Sequence, residues 1–206
     1  MAVSATDLAA GEAFFNSPEI KSLPWISANI VDKQGQLVFS PHIIKQIGSV
    51  SIGIIGLTGP HNIQIPSYTI TDWKTALTNQ LSDIKDKCDF IIVLSNLVSS
   101  ANKEISELYP SVHLVITADK KRGNVPIHQL NNTLFTQVFS RGKYLGKLDF
   151  QWSPLSIWRN SSMAADGTTN FNSFNAKVKR IVPSNKPEDV EAIVQQINKS
   201  INNYRQ

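Results

Sequence analysis

The order of apolar and polar positions predicts alternating strands and helices in the first half of the chain. Apolar residues run almost without interruption over 50–57 and 90–94, each time between turn residues, as in strands buried on both faces. Between these runs, apolar side chains recur at helical spacing after Asp72, a residue type favoured at helix N-caps. A shorter helix is predicted over 100–108, followed by a strand over 112–117.

Outside this central region the pattern predicts shorter elements. Near the N-terminus we expect a helix over 5–16, a buried strand over 23–31 and a hairpin of 37–47 with 50–57. The second half is expected to contain strands over 134–139, 143–152 and 174–182, the first two joined by a tight hairpin turn, a long loop or insertion over 153–173, and a C-terminal helix that Pro187 opens.

Strands that alternate with helices and then follow one another indicate an α/β protein with a mixed sheet. The 206 residues suit one domain with an ample core. We therefore expect one domain over 1–183, with the C-terminal helix in 184–206.

Composition excludes several classes of protein. The 41% hydrophobic and 17% charged residues are not those of a disordered chain. A single cysteine, Cys88, excludes a disulfide framework and a cysteine-rich zinc site, and its place on an apolar stripe predicts a small core residue. No stretch has the length of a membrane span, and the first residues do not resemble a signal peptide. The net charge of +4 is spread too thinly to favour nucleic-acid binding.

Four segments carry distinctive sequences in a fixed order. They are Leu-Pro-Trp-Ile-Ser-Ala-Asn-Ile-Val-Asp (23–32), Gly-Ile-Ile-Gly-Leu-Thr (53–58), Asp-Phe-Ile-Ile-Val-Leu-Ser (89–95) and Ser-Arg-Gly-Lys-Tyr-Leu-Gly-Lys-Leu-Asp (140–149). Together they resemble motifs of the 5'-nucleotidase and UDP-sugar hydrolase family of calcineurin-like metallophosphatases. The resemblance implies a sandwich of β-sheets flanked by helices, and a periplasmic, secreted or cell-surface location.

Members of this family bind two divalent metals that hold the phosphate and activate water. Their first two ligand motifs would precede residue 1, so the resemblance implies a chain without the first strands of the family fold. At the family's Asn-His motif, Ala5 replaces a ligand and Thr6 replaces the histidine that supports the leaving group. Only Asp7 resembles the motif.

The later ligand motifs are altered as well. Asn96 stands where the family has a histidine after Leu-Ser, and Asp119 and Lys121 stand at the two histidines of Gly-His-x-His. A protonated lysine cannot bind a divalent metal. His42, His61, His113 and His128 do not compensate, because none lies at metal-ligand spacing from another. The sequence therefore predicts no catalytic residue, no metal ligand and no cofactor.

These substitutions favour a catalytically inert metallophosphatase-like domain that acts as a scaffold or interaction module. One alternative is a metal-dependent phosphoesterase whose N-terminal part is supplied separately. Another is a metal-free module that holds an anion with basic residues near the same edge, namely Lys120, Lys121, Arg122, Arg141 and Lys143. Without the first family strands, a sheet edge would be rearranged or covered by a protein partner or a second copy.

Overall fold

The computed structural model describes residues 1–60, 66–119, 123–138, 144–152, 158–160 and 172–180. The helices are α1 (Ala5–Leu8), α2 (Gly11–Asn16), α3 (Pro18–Lys21), α4 (Trp73–Ile84) and α5 (Ser99–Leu108). The strands are β1 (Ile30–Val31), β2 (His42–Ile47), β3 (Val50–Leu57), β4 (Thr69–Ile70), β5 (Phe90–Ser95), β6 (Leu114–Thr117), β7 (Val125–Leu130), β8 (Thr133–Gln137), β9 (Tyr144–Gln151), β10 (Trp158–Asn160) and β11 (Asn172–Arg180).

A six-stranded mixed sheet in the order β2-β3-β5-β6-β8-β7 forms the centre of the fold. The four inner strands are parallel, and β2 and β7 pair antiparallel at the two edges. The mixed α/β fold predicted from the sequence is confirmed. So is the β2–β3 hairpin, which turns at Gly48 with a φ of 59°.

One face of this sheet is covered by α4 and α5. Leu77 and Ile84 of α4 and Ile105 of α5 are fully buried against side chains of the inner strands. As predicted, Asp72 begins α4, and its side chain accepts a hydrogen bond from the Thr75 N–H at 2.8 Å. The apolar stripe of each helix therefore fixes its place on the sheet.

The opposite face is covered in part by a second sheet in the order β10-β11-β9. Leu148 of β9 and Trp152 pack against Phe90 and Leu114 of the central sheet. The two sheets thus form the sandwich that the sequence predicted.

The predicted helix over 5–16 is divided into α1 and α2. Gly11 has a φ of 79°, a left-handed conformation that favours glycine and ends the first helical turn. The N-terminal helices cover a separate cluster in which Leu8 and Phe15 pack with Ile30.

Within the predicted buried strand over 23–31, residues 26–30 are buried, Leu23 is exposed, and only Ile30–Val31 is a strand. Its other backbone groups bond to different segments: the Ser27 N–H donates to the Ser40 carbonyl and the Ala28 N–H to the Gly56 carbonyl. Most of this segment therefore does not form a continuous β-ladder with a single neighbouring strand.

The second half differs from the expectation in three places. The strands predicted over 134–139 and 143–152 lie in different sheets, because β8 pairs with β7 and β9 pairs with β11. The loop predicted over 153–173 contains β10, which pairs in parallel with β11. β11 begins at Asn172, two residues before the predicted strand. The predicted helix in 184–206 lies outside the described residues.

Candidate functional site

The candidate site is the edge where the parallel strands β3, β5, β6 and β8 end. Loops that begin at Thr58, Asn96 and Ala118 follow the first three of these strands. In α/β sheets this edge is where ligands usually bind. The N-terminal segment reaches the same edge, since the Thr58 Oγ1–H donates to the Val3 carbonyl at 2.7 Å.

Ala5, Thr6 and Asp7 form the start of α1, which Ser4 caps. The Asp7 carboxylate accepts hydrogen bonds from the N–H and the hydroxyl of Ser4, both at 2.8 Å, and the Asp7 N–H donates to the Ser4 hydroxyl at 3.3 Å. This reciprocal arrangement is a capping box. The Ala5 side chain is buried and has no donor or acceptor atom, and Thr6 is exposed. The start of α1 is therefore stabilised by a helix cap.

The Asn96 side chain fastens two neighbouring loops. Its Oδ1 accepts a hydrogen bond from the Gly59 N–H, and the Asn96 backbone N–H donates to the Leu57 carbonyl at 3.3 Å. A Cβ at Gly59 would lie 2.8 Å from the Asn96 carbonyl oxygen, so the loops approach too closely for another residue type. The Asn96 amide oxygen thus joins the loops that follow β3 and β5.

Asp119 lies in a loop whose backbone forms hydrogen bonds with the Gln137 side chain. The Gln137 amide accepts from the Asp119 N–H at 2.8 Å and donates to the Asp119 carbonyl at 3.0 Å. It also accepts from the Thr117 hydroxyl at 2.8 Å and donates to the Gly123 carbonyl at 3.0 Å. The buried Gln137 therefore sets where Asp119 stands.

A second buried network lies directly below this edge. The Asn29 side chain accepts from the Thr58 N–H and donates to the Thr58 carbonyl, both at 2.8 Å, and also donates to the Thr71 carbonyl at 3.1 Å. Ser27 shares a hydrogen bond of 2.9 Å with the Thr58 hydroxyl. All three of Ser27, Asn29 and Thr58 are fully buried.

Sequence reasoning did not identify Gln137, Thr58 or Asn29 as residues that shape the site. One signal was available, because polar residues at 27 and 29 interrupt an otherwise apolar segment. Such residues are usually hydrogen-bonded when buried.

Three of the histidines contact other protein groups in the structure. The His42 ring bonds the Gln80 side chain at 2.8 Å, and His128 stacks on Phe135 with ring centroids 5.6 Å apart. His113 accepts a hydrogen bond from the Ile91 N–H at 3.0 Å, and burial lowers its pKa to about 4. His61 lies outside the described residues.

Cys88 is a free, half-buried thiol beside Gly53, as its place on an apolar stripe predicted. Burial raises the pKa of this thiol. The basic residues proposed for anion binding, Lys120, Lys121, Arg122, Arg141 and Lys143, all lie outside the described residues.

The two divalent metals that the family resemblance implies do not fit the donors found here. Ala5 offers no ligand atom, one oxygen of Asp7 accepts both hydrogen bonds from Ser4, and the Asn96 amide oxygen accepts the Gly59 N–H. Within the described ranges, no group of three or more histidine, cysteine, aspartate or glutamate side chains could hold a metal ion. The same ranges contain no helix long and apolar enough to cross a membrane.

Comparison with known proteins gives the same fold. No protein-family model matches the chain. The chain is 23% identical over 150 residues to the uncharacterized metallophosphoesterase YunD of Bacillus subtilis (strain 168). The matched segment makes up 69% of this chain and 32% of that protein. The chain therefore spans about a third of the length of that curated relative.

Solved structures agree at low sequence identity. Sulfate thiohydrolase SoxB from Thermus thermophilus, solved with glycerol, superposes with a TM-score of 0.74 at 15% identity, over 95% of this chain and 36% of that one. A 5'-nucleotidase precursor, also from Thermus thermophilus, gives 0.67 at 17% identity, over 100% and 44%. The chain therefore has the calcineurin-like metallophosphatase fold of the 5'-nucleotidase type.

Proposed function

We propose that the chain is a catalytically inert, degenerate 5'-nucleotidase-like metallophosphatase domain that acts as a scaffold or interaction module. The observation that carries this proposal is the use of Asn96, at a family ligand position, as a hydrogen-bond acceptor for the Gly59 N–H. Asp7 is used in the same way by the Ser4 cap. Side chains committed to these bonds hold the loops without a metal.

Hydrolysis by this fold depends on two metals that bind the phosphate and lower the pKa of the attacking water. A domain with an alanine and a bonded amide at ligand positions lacks the donor atoms that would hold the metals for either step. Its core of buried strands and helices does not depend on those ligands. The fold can therefore persist as a binding surface while turnover is lost.

The test is hydrolysis of p-nitrophenyl phosphate and a nucleoside 5'-monophosphate, with manganese, zinc or cobalt added and bound metal quantified. We expect no turnover, substoichiometric metal, and the same thermal midpoint with and without EDTA. A 5'-nucleotidase purified in parallel serves as the positive control.

The variant Asp119→Asn separates activity of this chain from a contaminant, because it removes a carboxylate while leaving the backbone bonds to Gln137 intact. Stoichiometric metal together with hydrolysis that disappears in Asp119→Asn would contradict the proposal. That result would support a metal-dependent phosphoesterase instead.

We further propose that the interaction surface includes the outer edge of β2, where a second copy adds its own β2. Ile44 and Ile47 are 40% and 63% exposed on this edge strand, and exposed apolar edges favour pairing. Sedimentation velocity should show a dimer that Ile47→Lys weakens. Leu145→Lys is the matched control, because Leu145 is 62% exposed on the other sheet. A concentration-independent monomer would contradict the pairing.

We propose a periplasmic, secreted or cell-surface location, which rests on the family resemblance alone. Fractionation of cells that express the natural gene tests it. Recovery with cytoplasmic markers would contradict it.

A further inference from the structure

Beside the candidate site lies a cavity of about 170 Å³ between α5 and the strands β6, β7 and β8. Its size is close to that of an engineered cavity of about 150 Å³ that accepts benzene. A molecule with one short branched or cyclic group therefore fits. The cavity contains no residue from β3 or β5; it lies at the β6 part of this edge, where it includes Asp119 but not Asn96.

The lining divides into an apolar wall and a polar wall. Val125, Leu130 and Phe135 form the apolar wall, while Asn102 and Lys103 of α5 stand on the polar one. Mixed linings of this kind bind small molecules by burying an apolar group and orienting a polar one.

The α5 side of the cavity offers hydrogen-bond donors. The N-cap of α5 is Val98, which provides no side-chain cap, so the first N–H groups of the helix lack that partner. Asn102 is 3% exposed, and its Nδ2 donates to the Leu97 carbonyl at 2.9 Å. A primary amide has two N–H groups, and the second has no acceptor in the described part of the chain.

Charges of both signs lie around the cavity. Lys103 carries an ammonium on the α5 side, and Asp119 carries a carboxylate at the end of β6. A carboxylate accepts several donors at once. A ligand that complements this lining therefore has an anionic group, a cationic group and a compact apolar part.

We propose that this cavity binds an apolar α-amino acid. The ligand carboxylate accepts from Asn102, Lys103 and the N-terminus of α5, the ammonium faces Asp119, and the side chain packs on Leu130 and Phe135. Binding at this site needs neither metal nor turnover, so the inference goes beyond the proposed function. If no amino acid binds, the proposed function is unaffected.

Isothermal titration calorimetry of the full chain with L-valine, L-leucine and L-methionine, without added metal, tests this inference. We expect saturable binding of at least one of them, with a raised thermal midpoint. The matching probes for L-leucine are 4-methylpentanoate, which lacks the ammonium, and 3-methylbutylamine, which lacks the carboxylate. Each should bind at least tenfold more weakly.

Lys103→Met should weaken binding about tenfold, because it removes a charge-assisted hydrogen bond but keeps an apolar stem. The matched control is Lys87→Met: like Lys103, Lys87 is exposed and forms an i,i+4 ion pair, but it lies outside the cavity. No saturable binding of any of the three amino acids to folded protein would overturn the inference. Equal affinity in Lys103→Met, or equal binding of 4-methylpentanoate and leucine, would do the same.

Discussion

Protonation of His113 should destabilise the fold as the pH falls below neutrality. The His113 ring stacks on Phe90 with centroids 4.9 Å apart and meets Trp152 edge-on at 5.6 Å. Its Nδ1 accepts the Ile91 N–H, so the neutral ring carries its proton on Nε2. A second proton would place one N–H against another and charge a partly buried ring.

The sign follows from the direction of the pKa shift. Burial lowers the pKa of His113 from 6.5 to about 4, so between these values the unfolded chain binds the proton more readily than the folded one. The stabilising contribution is present above pH 6.5 and is lost as the pH falls toward 4. With these two pKa values, lowering the pH from 7 to 5 costs about 2 kcal/mol.

Urea unfolding at several pH values measures this loss. Carboxylates also titrate as the pH falls, so the informative quantity is the difference between the parent and His113→Gln, which cannot titrate. The variant should start less stable at pH 7 but lose about 2 kcal/mol less by pH 5. For a chain of this size, that difference corresponds to a thermal midpoint shift of about 4–8 °C.

His128→Gln is the matched control, because it removes an exposed imidazole and should keep the pH dependence of the parent. The reasoning fails if His113→Gln and the parent lose equal stability between pH 7 and 5. It fails equally if the His113 ring titrates near pH 6.5 by NMR.

Three further substitutions probe the framework by urea unfolding. Asn29→Ala should cost about 3 kcal/mol, because it leaves the buried Thr58 N–H without its acceptor; a loss below about 1 kcal/mol would argue against that network. Gly56→Ala should cost about 2 kcal/mol, since its Cβ would lie 2.6 Å from the Ile26 carbonyl oxygen; unchanged stability would mean that the backbone can move apart. Asp72→Ala should cost about 1 kcal/mol through loss of the α4 cap, whereas Asp72→Asn should recover most of it.

The central elements could be predicted because their patterns are local. An uninterrupted apolar run such as β3 or β5 must be covered on both faces, and the stripe on α4 supplies one of the covers. The pairing of β8 was not predictable in this way. Its sequence indicates a strand but does not determine whether β7 or β9 is its neighbour, because that choice is made by contacts distant in sequence.

The family resemblance indicated which residues stand at the ligand positions, but it did not indicate which hydrogen bonds these residues form. The family resemblance implies that Asn96 and Asp119 stand at ligand positions of the family motif. It does not show that Gly59 lies close enough to bond Asn96, or that Gln137, 18 residues after Asp119, holds its loop. Both relations require the register of parallel strands, which the sequence does not state.

Under the proposal of an inert domain, those bonds explain how the edge of the sheet can remain ordered without metals. In a dinuclear centre, metal ions join the loops that follow several strands. Here direct hydrogen bonds join the same kinds of segment: Thr58 to Val3, Gly59 to Asn96, and Asp119 to Gln137. Only the bond from Gly59 uses a side chain at a position that the family resemblance assigns to a metal ligand. Under the proposal of an inert domain, restoring a histidine at position 96 would therefore remove one connection between loops, and metal binding would also need a ligand in place of Ala5. An interaction surface on the same fold needs neither change.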